Sequence, residues 1–489
     1  MNNKSPSVEH DLLLPLAGTW TTGEGEALVI NNPANGKEIA KLPSASVTQV
    51  DATITAAHIK LKQSAWATKL PHERATCLFR AATLILERSD LLASLQTREN
   101  GKTLAESVGQ VASAAGIVRY FAAVCETLTE ELSPSRGPYI SATIHEPFGV
   151  VAAITPWNSP LTMAAQKIAP ALAAGNAVVL KPSELTSLVS IELARCFLDA
   201  GLPDGLLSVL PGGAEVGTTL VNHPDTAMIS FTGGTETGRR IAEAVAPRFI
   251  PCIFELGGKS PNIVFADADL QKAAKGVTSA IFGSGGQSCV AGSRLFVEQS
   301  IYPDFMAMVR SETAKIKVGD PLSQESNIGP MASFAQRARV EEYIDIGRAD
   351  GGNITIGGTR PEGPEYENGA YYLPTIIEGL PHSSRVCQEE IFGSVLCALP
   401  FNTEEDVIAM ADDTAFGLAC GIWTGNTTRA WNMARAISAG SVWINTYKQL
   451  SIAAPFGGFK DSGLAREKGP QGLRAYQQSK SIYLGGYQG

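Results

Sequence analysis

"GVVAAITPWN", residues 149–158, is an apolar run rich in β-branched side chains that stops abruptly at a turn. Three runs of the same kind follow: "NAVVLKPSE" at 176–184, "GLLSVLPGG" at 205–213 and "MISFTGG" at 228–234. Their spacing of roughly two to three dozen residues is that of successive strand–helix–strand units. Helical text fills the gaps. Pro160 stands at a first-turn position, where a missing N–H is tolerated, and "LTMAAQKIAPALAAG" runs from there to a stop at Gly175. "SLVSIELARCFLDAG" closes at Gly201 in the same way. Residues 148 to about 250 therefore predict an open parallel α/β sheet, an architecture that binds its ligand beyond the carboxyl ends of the strands.

Upstream, Val50 to Leu128 has helical periodicity, with Leu78, Ala82 and Leu86 on one face and Arg80, Glu87 and Arg88 on others. "ISATIHEP" (140–147) alternates like a half-buried strand. Downstream, a second α/β region starts near "IFELGGKSPNIVFADADL" (253–270) and continues through "TEEDVIAMADDTAFGLACGIW" (403–423) to "GSVWINTY" (440–447). The tail "YQQSKSIYLGGYQG" (476–489) reads as another alternating strand. The two stray alternating segments are free to pair with each other or with a neighbouring subunit. No fixed-period repeat, low-complexity tract or long linker separates the halves.

At 489 residues the chain exceeds what one hydrophobic core supports, so two or three domains are expected. Its 44% hydrophobic and 18% charged residues are those of an ordinary globular protein. A formal charge of −9, without a Lys/Arg cluster, argues against nucleic acid and anionic membrane surfaces as partners. No uninterrupted apolar stretch reaches about 18 residues, so a membrane span is not supported. The opening "MNNKSPSVEHDLLLPLAGTW" fits neither a signal nor a transit peptide, which makes the cytoplasm the expected location. Eight cysteines without a CxxC pair argue against a disulfide framework and against a zinc site, and most are expected to be buried and inert.

One of them differs. Cys289, in "GQSCVAGSR" (286–294), is flanked by Gly285, Gly286 and Gly292 and by polar Gln287 and Ser293, where a buried structural thiol would want apolar contacts. None of the six histidines has a local context suited to a papain-like pair. Glu255 ends an apolar strand before Gly257 and Gly258, a place where partial desolvation makes a carboxylate basic near neutral pH. Asn158 follows the first parallel strand, where it suits an oxyanion donor and a helix N-cap ahead of Pro160 equally well, two roles that are compatible. Lys181 and Glu184 lie at the end of the next strand, where a cation and an acceptor meet ribose hydroxyls. Gly233, Gly234 and Gly238, in "FTGGTETGRR" (231–240), sit between strand and helix, where backbone N–H groups face an anion.

"TPWNSP" (155–160), "LKPSE" (180–184), "FTGGTETGRR", "ELGGKSPNIV" (255–264), "GQSCVAGSR", "EEIFGSV" (389–395) and "PFGGFKDSG" (455–463) occur in one order along essentially the whole chain. In order and separation they resemble the motifs of the NAD(P)-dependent aldehyde dehydrogenase superfamily. The resemblance implies a Rossmann-like open-sheet NAD-binding domain at 1–125 and 147–255. It also implies an α/β catalytic domain at 256–453 and a small β oligomerisation arm at 126–146 and 472–487, giving homodimers or homotetramers. Cys289 then matches the nucleophile, Glu255 the general base, and Asn158 the side-chain half of an oxyanion site completed by the Cys289 backbone N–H. Lys167 matches a proton-relay lysine. Trp157, Lys181, Ser183, Glu184, Gly233, Gly234 and Gly238 fall at cofactor-contact positions, and Glu390 and Phe392 at those that hold the nicotinamide ribose and ring. No metal is implied.

The implied chemistry explains a cysteine without a histidine: thiol attack on an aldehyde produces a thiohemiacetal oxyanion that needs donors, and hydride loss and hydrolysis then release an acid. Glu184 would repel a 2′-phosphate, so NAD is preferred and NADP is the less favoured alternative. Positions lining the aldehyde tunnel in relatives are here Ser159, Thr162, Met163, Gln166, Val290, Lys448, Leu450 and Phe456. This polar wall suggests a polar, aromatic or carboxylate-bearing aldehyde, with Lys448 as either a carboxylate contact or a solvated mouth residue. Three positions depart from the family pattern: Gly234 where a serine is usual, Ala465 where glycine is common, and Ser394 where proline is usual. A CoA-acylating relative would generally lack the glutamate base. A thiol hydrolase or esterase, and a non-enzymatic structural protein on the same scaffold, are the rival readings.

Overall fold

In the computed structural model, residues 12–486 are described. The N-terminal stretch 1–11, on which the leader reading rests, and residue 487 of the expected arm lie outside them. Two short antiparallel strand pairs, at 13–22 and 27–43, precede four helices: α1 (Val47–Gln63), α2 (Pro71–Glu87), α3 (Ser89–Asn100) and α4 (Leu104–Thr127). Helix α4 starts at a capping box, with the Thr103 side chain accepting from the Glu106 N–H and the Glu106 carboxylate returning to the Thr103 N–H. By length and mean hydropathy (1.4) α4 would suffice to cross a bilayer. Its apolar residues Val111, Ala115, Val118, Phe121 and Ala122 are buried, however, and it packs on α2, α3 and α5, which marks a core helix.

Strands β1 (Glu131–Ser133) and β2 (Tyr139–Pro147) come next, followed by the expected alternation. It comprises β3 (Val150–Ile154), α5 (Pro160–Ala173), β4 (Ala177–Lys181), α6 (Ser187–Asp199), β5 (Leu207–Val209), α7 (Ala214–Asn222), β6 (Thr226–Thr232), α8 (Thr235–Val245) and β7 (Cys252–Glu255). Pro160 occupies the first turn of α5, and Gly175 (φ +98°) and Gly201 (φ +93°) follow α5 and α6 in left-handed geometry. Val150 to Ala153 are fully buried because helices cover both faces of the sheet.

The second region contains β8 (Pro261–Val264), α9 (Leu270–Phe282), β9 (Arg294–Glu298), α10 (Tyr302–Thr313), α11 (Phe334–Ala349), β10 (Asn353–Ile356), β11 (Thr375–Glu378), α12 (Arg385–Gln388), β12 (Val395–Phe401), α13 (Glu404–Asp412), β13 (Ala419–Trp423), α14 (Thr427–Ala436) and β14 (Ser441–Ile444). The chain ends with β15 (Gly463–Leu464), α15 (Gly469–Arg474) and β16 (Gln477–Gly485).

The first sheet has the order β15-β7-β6-β3-β4-β5, parallel except for β15. The chain moves outward from β3 through β4 to β5, then returns to place β6 and β7 on the other side of β3. Strand order thus reverses between β3 and β6, which leaves a crevice at their carboxyl ends. The second sheet runs β10-β11-β12-β9-β8-β13-β14, parallel except for β10. A three-stranded antiparallel sheet, β16-β2-β1, joins the two stray segments of the sequence to each other.

Candidate active site

Cys289 lies on the loop from α9 to β9. The loop turns through Ser284 (φ +59°), Gly285 (φ +63°) and Gly286 (φ +71°), all left-handed. At Gly286 a Cβ would overlap the Gly393 carbonyl, and at Gly258 one would overlap the carbonyl of Cys289 itself, so glycine at both lets three backbones converge behind the sulfur. Gln287 locks the loop, its side-chain oxygen accepting from the Ala332 N–H at 2.9 Å. Asn158 reaches the same loop and donates its side-chain amide to the Gln287 carbonyl at 3.0 Å. Ser159, not Asn158, occupies the N-cap position of α5, and it makes no side-chain cap. The N-cap alternative for Asn158 is therefore set aside: its amide is buried at the cysteine.

The Cys289 thiol is half-buried and pushed up to about 12 by burial and by the Glu255 and Glu390 carboxylates, with Lys468 opposing. It is a neutral thiol in this state, and among the described residues no histidine lines the clefts beside it. Glu255, the last residue of β7, is held between Thr232 of β6 and Gly463 of β15. It is 4% exposed and neither carboxylate oxygen has a hydrogen-bond partner among the described residues. Burial and the Glu467 carboxylate push it well above the usual carboxylate range, against the pull of Lys167, Arg466 and Lys468.

Behind Glu255 runs a buried polar chain. Lys167 Nζ donates to Glu467 Oε1 at 2.8 Å and to Ser230 Oγ at 3.1 Å, and Ser230 Oγ lies 2.8 Å from the Tyr476 hydroxyl. Lys167 is fully buried and Glu467 almost so, which makes this a solvent-excluded ion pair. Lys468 stacks its ammonium 4.6 Å from the Phe456 ring centre.

Two clefts meet at the switch point. One, of about 570 Å³, is lined by Lys181, Ser183, Glu184, Thr218 and Arg240; the other, of about 900 Å³, by Trp157, Asn158, Cys289, Glu390 and Phe392. They share Pro156, Trp157, Thr232, Gly233 and Gly234, so they form one crevice across the ends of β3 and β6. In the first, Lys181 Nζ is 3.8 Å from Glu184 Oε1, and the Glu184 carboxylate is about half exposed to the cleft. Helix α8 starts at the junction with no side-chain cap, which leaves its first N–H groups for an anion. In the second, Glu390 accepts from the Gly258 N–H at 3.0 Å and is raised to about 7, mainly by burial. Phe392 holds a left-handed backbone (φ +62°), kept there by Gln336, which donates to the Ile391 and Phe392 carbonyls. Its ring meets Trp157 edge-on at 5.3 Å.

A crevice across the strand ends that reaches a cysteine, with an asparagine amide on the cysteine's loop and the charge of an unpartnered glutamate acting on the thiol, is the arrangement the motifs implied. The sequence matches the family described as "Aldehyde dehydrogenase family" over residues 20–482. The chain belongs to the aldehyde dehydrogenase family. Its relatives include a betaine aldehyde dehydrogenase of Bacillus subtilis (strain 168), 40% identical over 469 residues, which are 95% of this chain and 96% of the relative. Among solved structures, an indole-3-acetaldehyde dehydrogenase of P. syringae, a cysteine-to-alanine mutant in complex with NAD+ and IAA, aligns with a TM-score of 0.94 and 38% identity over 97% of this chain and 96% of that one. A betaine aldehyde dehydrogenase of Staphylococcus aureus in complex with NAD+ aligns with a TM-score of 0.95 and 34% identity over 97% and 95%.

Not every residue expected from the aldehyde dehydrogenase resemblance faces the crevice. Gly238 does not: its N–H is spent inside α8 on the Gly234 carbonyl, and a Cβ would stand 2.7 Å from Leu256, so it is a packing glycine. Gln166 donates to the Glu467 carboxylate. Val290 is buried in the apolar core of the second region. Thr162 turns its hydroxyl back to the Ser159 carbonyl, and Ser159 accepts from Gln110 of α4 at 3.0 Å. Met163 lines the larger cleft beside Cys289, Phe456 is buried under Lys468, Leu450 is half exposed and Lys448 half-buried.

Glu467 and Lys468 were missed. The signal was a cluster of three consecutive charged residues, Arg466 to Lys468, after the "PFGGF" turn. Of the departures, Ala465 is held at φ +67°, which explains why glycine suits that position. The Ser394 hydroxyl is buried without a partner, and Gly234 faces open space at the junction of the clefts.

Proposed function

We propose that this protein oxidises an aldehyde to a carboxylic acid with NAD as hydride acceptor, through an acyl-enzyme on Cys289 that water hydrolyses. One observation carries the proposal: the half-buried Cys289 sulfur lines the crevice on the loop that the Asn158 amide reaches, within the field of the unpartnered Glu255 carboxylate.

The cofactor fits the residues present. Glu184 offers a carboxylate to ribose hydroxyls, with Lys181 beside it. The uncapped start of α8 suits a pyrophosphate, and Glu390 with Phe392 borders the space next to Cys289. When bound, NAD supplies a two-electron acceptor for the hydride lost from the substrate carbon. The Glu184 charge disfavours a 2′-phosphate, which supports NAD over NADP.

Cys289 Sγ attacks the carbonyl carbon; a C–S bond forms and the carbonyl π pair moves to oxygen, while the thiol proton passes to Glu255. The Asn158 amide and the Cys289 backbone N–H donate to that oxyanion. Loss of hydride restores the C=O as a thioester. Once Glu255 has given up that proton to solvent, it takes one from the attacking water and returns it to the sulfur as the acyl C–S bond breaks, with the charges of Lys167 and Glu467 setting its basicity. Glu255 favours hydrolysis over transfer to a thiol acceptor. Lys448, unpaired among the described residues, supports a polar, aromatic or carboxylate-bearing aldehyde as substrate.

The experiment is an aldehyde panel with NAD and NADP in parallel, read as reduced-nicotinamide absorbance. Cys289→Ala is expected to abolish turnover with every aldehyde while leaving NAD binding measurable. Turnover in that variant at the unaltered rate would end the proposal, and release of acid from an ester, with no cofactor reduction on any aldehyde, would favour a thiol hydrolase instead.

A further inference from the structure

Beside the cysteine loop stand two lysines that no other part of the structure uses. Lys102, in the turn between α3 and α4, is 6% exposed, and among the described residues its ammonium has neither a hydrogen bond nor an ion pair. Lys448 follows β14 in a left-handed backbone (φ +56°) and is likewise unpaired among the described residues. Its loop is fixed: the Trp443 indole donates to the Gln449 carbonyl at 2.8 Å, and the Trp443 and Tyr447 rings stack 4.7 Å apart. Lys448 Nζ comes within 3.8 Å of where a Cβ on Gly283 would stand, so it lies against the turn that leads into Cys289.

The one carboxylate whose charge acts on both lysines is already engaged. Glu106 Oε1 accepts from Ser284 Oγ at 2.8 Å, and its Oε2 accepts from the Thr103 N–H and hydroxyl, each at 3.1 Å. Neither lysine lies within ion-pair distance of it. Burial and the other lysine's charge bring Lys448 down to about 8, against the pull of Cys289 and Glu106, and burial lowers Lys102. An ammonium withdrawn from water without a counter-ion is destabilised, a burden that a binding site relieves when its anion arrives. Two lysines and one glutamate leave a single positive charge, which matches a monoanion; a dianionic phosphate would overshoot it and meet Glu106.

We infer that Lys102 and Lys448 form an anion subsite that receives the distal carboxylate of the substrate while its aldehyde carbon reaches Cys289. The substrate class is then a carboxylate-bearing aldehyde. This rests on the oxidation proposed above and narrows it.

The test has two arms. In the first, kcat/KM is measured for an ω-carboxylated aldehyde and for the carboxamide of equal length, in the unaltered enzyme and in Lys448→Met, Lys102→Met and Lys448→Arg. The unaltered enzyme should prefer the acid by about tenfold to a hundredfold. Both methionine variants should bring that ratio near unity, and the arginine variant should keep most of it. In the second, glutarate alone should slow iodoacetamide labelling of Cys289 in the unaltered enzyme and not in Lys448→Met. This arm needs no turnover, so it separates loss of the subsite from failure of the oxidation reading. A ratio near unity in the unaltered enzyme, equal loss on both substrates in the variants, a stronger preference for a phosphorylated aldehyde, or absence of glutarate protection would each overturn the inference. Melting temperatures of the variants report whether they fold.

Discussion

Glu255 combines two properties that pull against each other: it is buried without a hydrogen-bond partner, yet its proposed work needs the ionised form. Burial and Glu467 raise it, while Lys167, Arg466 and Lys468 restrain the rise. A base with a raised pKa is active above that pKa and silenced as pH falls through it, so the acid limb of kcat should lie above the ordinary carboxylate range. Glu255→Gln should remove that limb and lower kcat by about a hundredfold to ten-thousandfold, as seen when a general base is lost. A pH profile of both proteins checks this; an unchanged limb in the variant would assign it to another group. Lys167→Met tests the restraint, because removing that cation should move the limb of the otherwise unaltered enzyme to higher pH.

At the scale of an element, the loop between α9 and β9 is a device for bringing backbones together. Gly286 adopts φ +71° and packs where any Cβ would collide with the Gly393 carbonyl. Gly286→Ala therefore has to push the cysteine loop away from the 389–395 segment that carries Glu390 and Phe392. The expected outcome is about 1–3 kcal/mol of lost stability, from overpacking and left-handed strain together, with a still larger loss in kcat. Denaturant melts and steady-state rates on the same preparation check both. Ala465 invites the opposite change. Its left-handed backbone at φ +67° predicts that Ala465→Gly stabilises the protein by up to about 1 kcal/mol, measurable as a raised denaturation midpoint.

At the scale of the molecule, the sheet β16-β2-β1 stands apart from both parallel sheets and exposes apolar side chains. Leu132, Ile482 and Leu484 share one face of it and are 74%, 45% and 64% exposed, an apolar face that a monomer in water would leave unfavourably solvated. The proposed assembly is a dimer or a dimer of dimers built through this arm. Leu132→Asp with Leu484→Asp should lower the molecular mass seen by light scattering to that of a smaller species while melts still report a folded chain. An unaltered mass in the double variant would place the subunit contact elsewhere.

The parallel sheet, its helix stops and the cysteine turn are legible along the chain because strand period, first-turn proline and left-handed glycine are local properties. The roles of Asn158 and Glu255 could be posed from the same text, though only the fold puts Ser159 at the N-cap of α5 and the Asn158 amide within 3.0 Å of the Gln287 carbonyl. The rest was settled by folding alone. Lys167 and Glu467 meet across 300 positions, Gly238 is spent on Leu256 and Gln166 on Glu467, and Lys102 reaches the surroundings of Lys448 from the far end of the chain. Such pairings depend on how helices stack on sheets in three dimensions, and no spacing or composition of a linear sequence encodes which side chains that stacking will bring face to face.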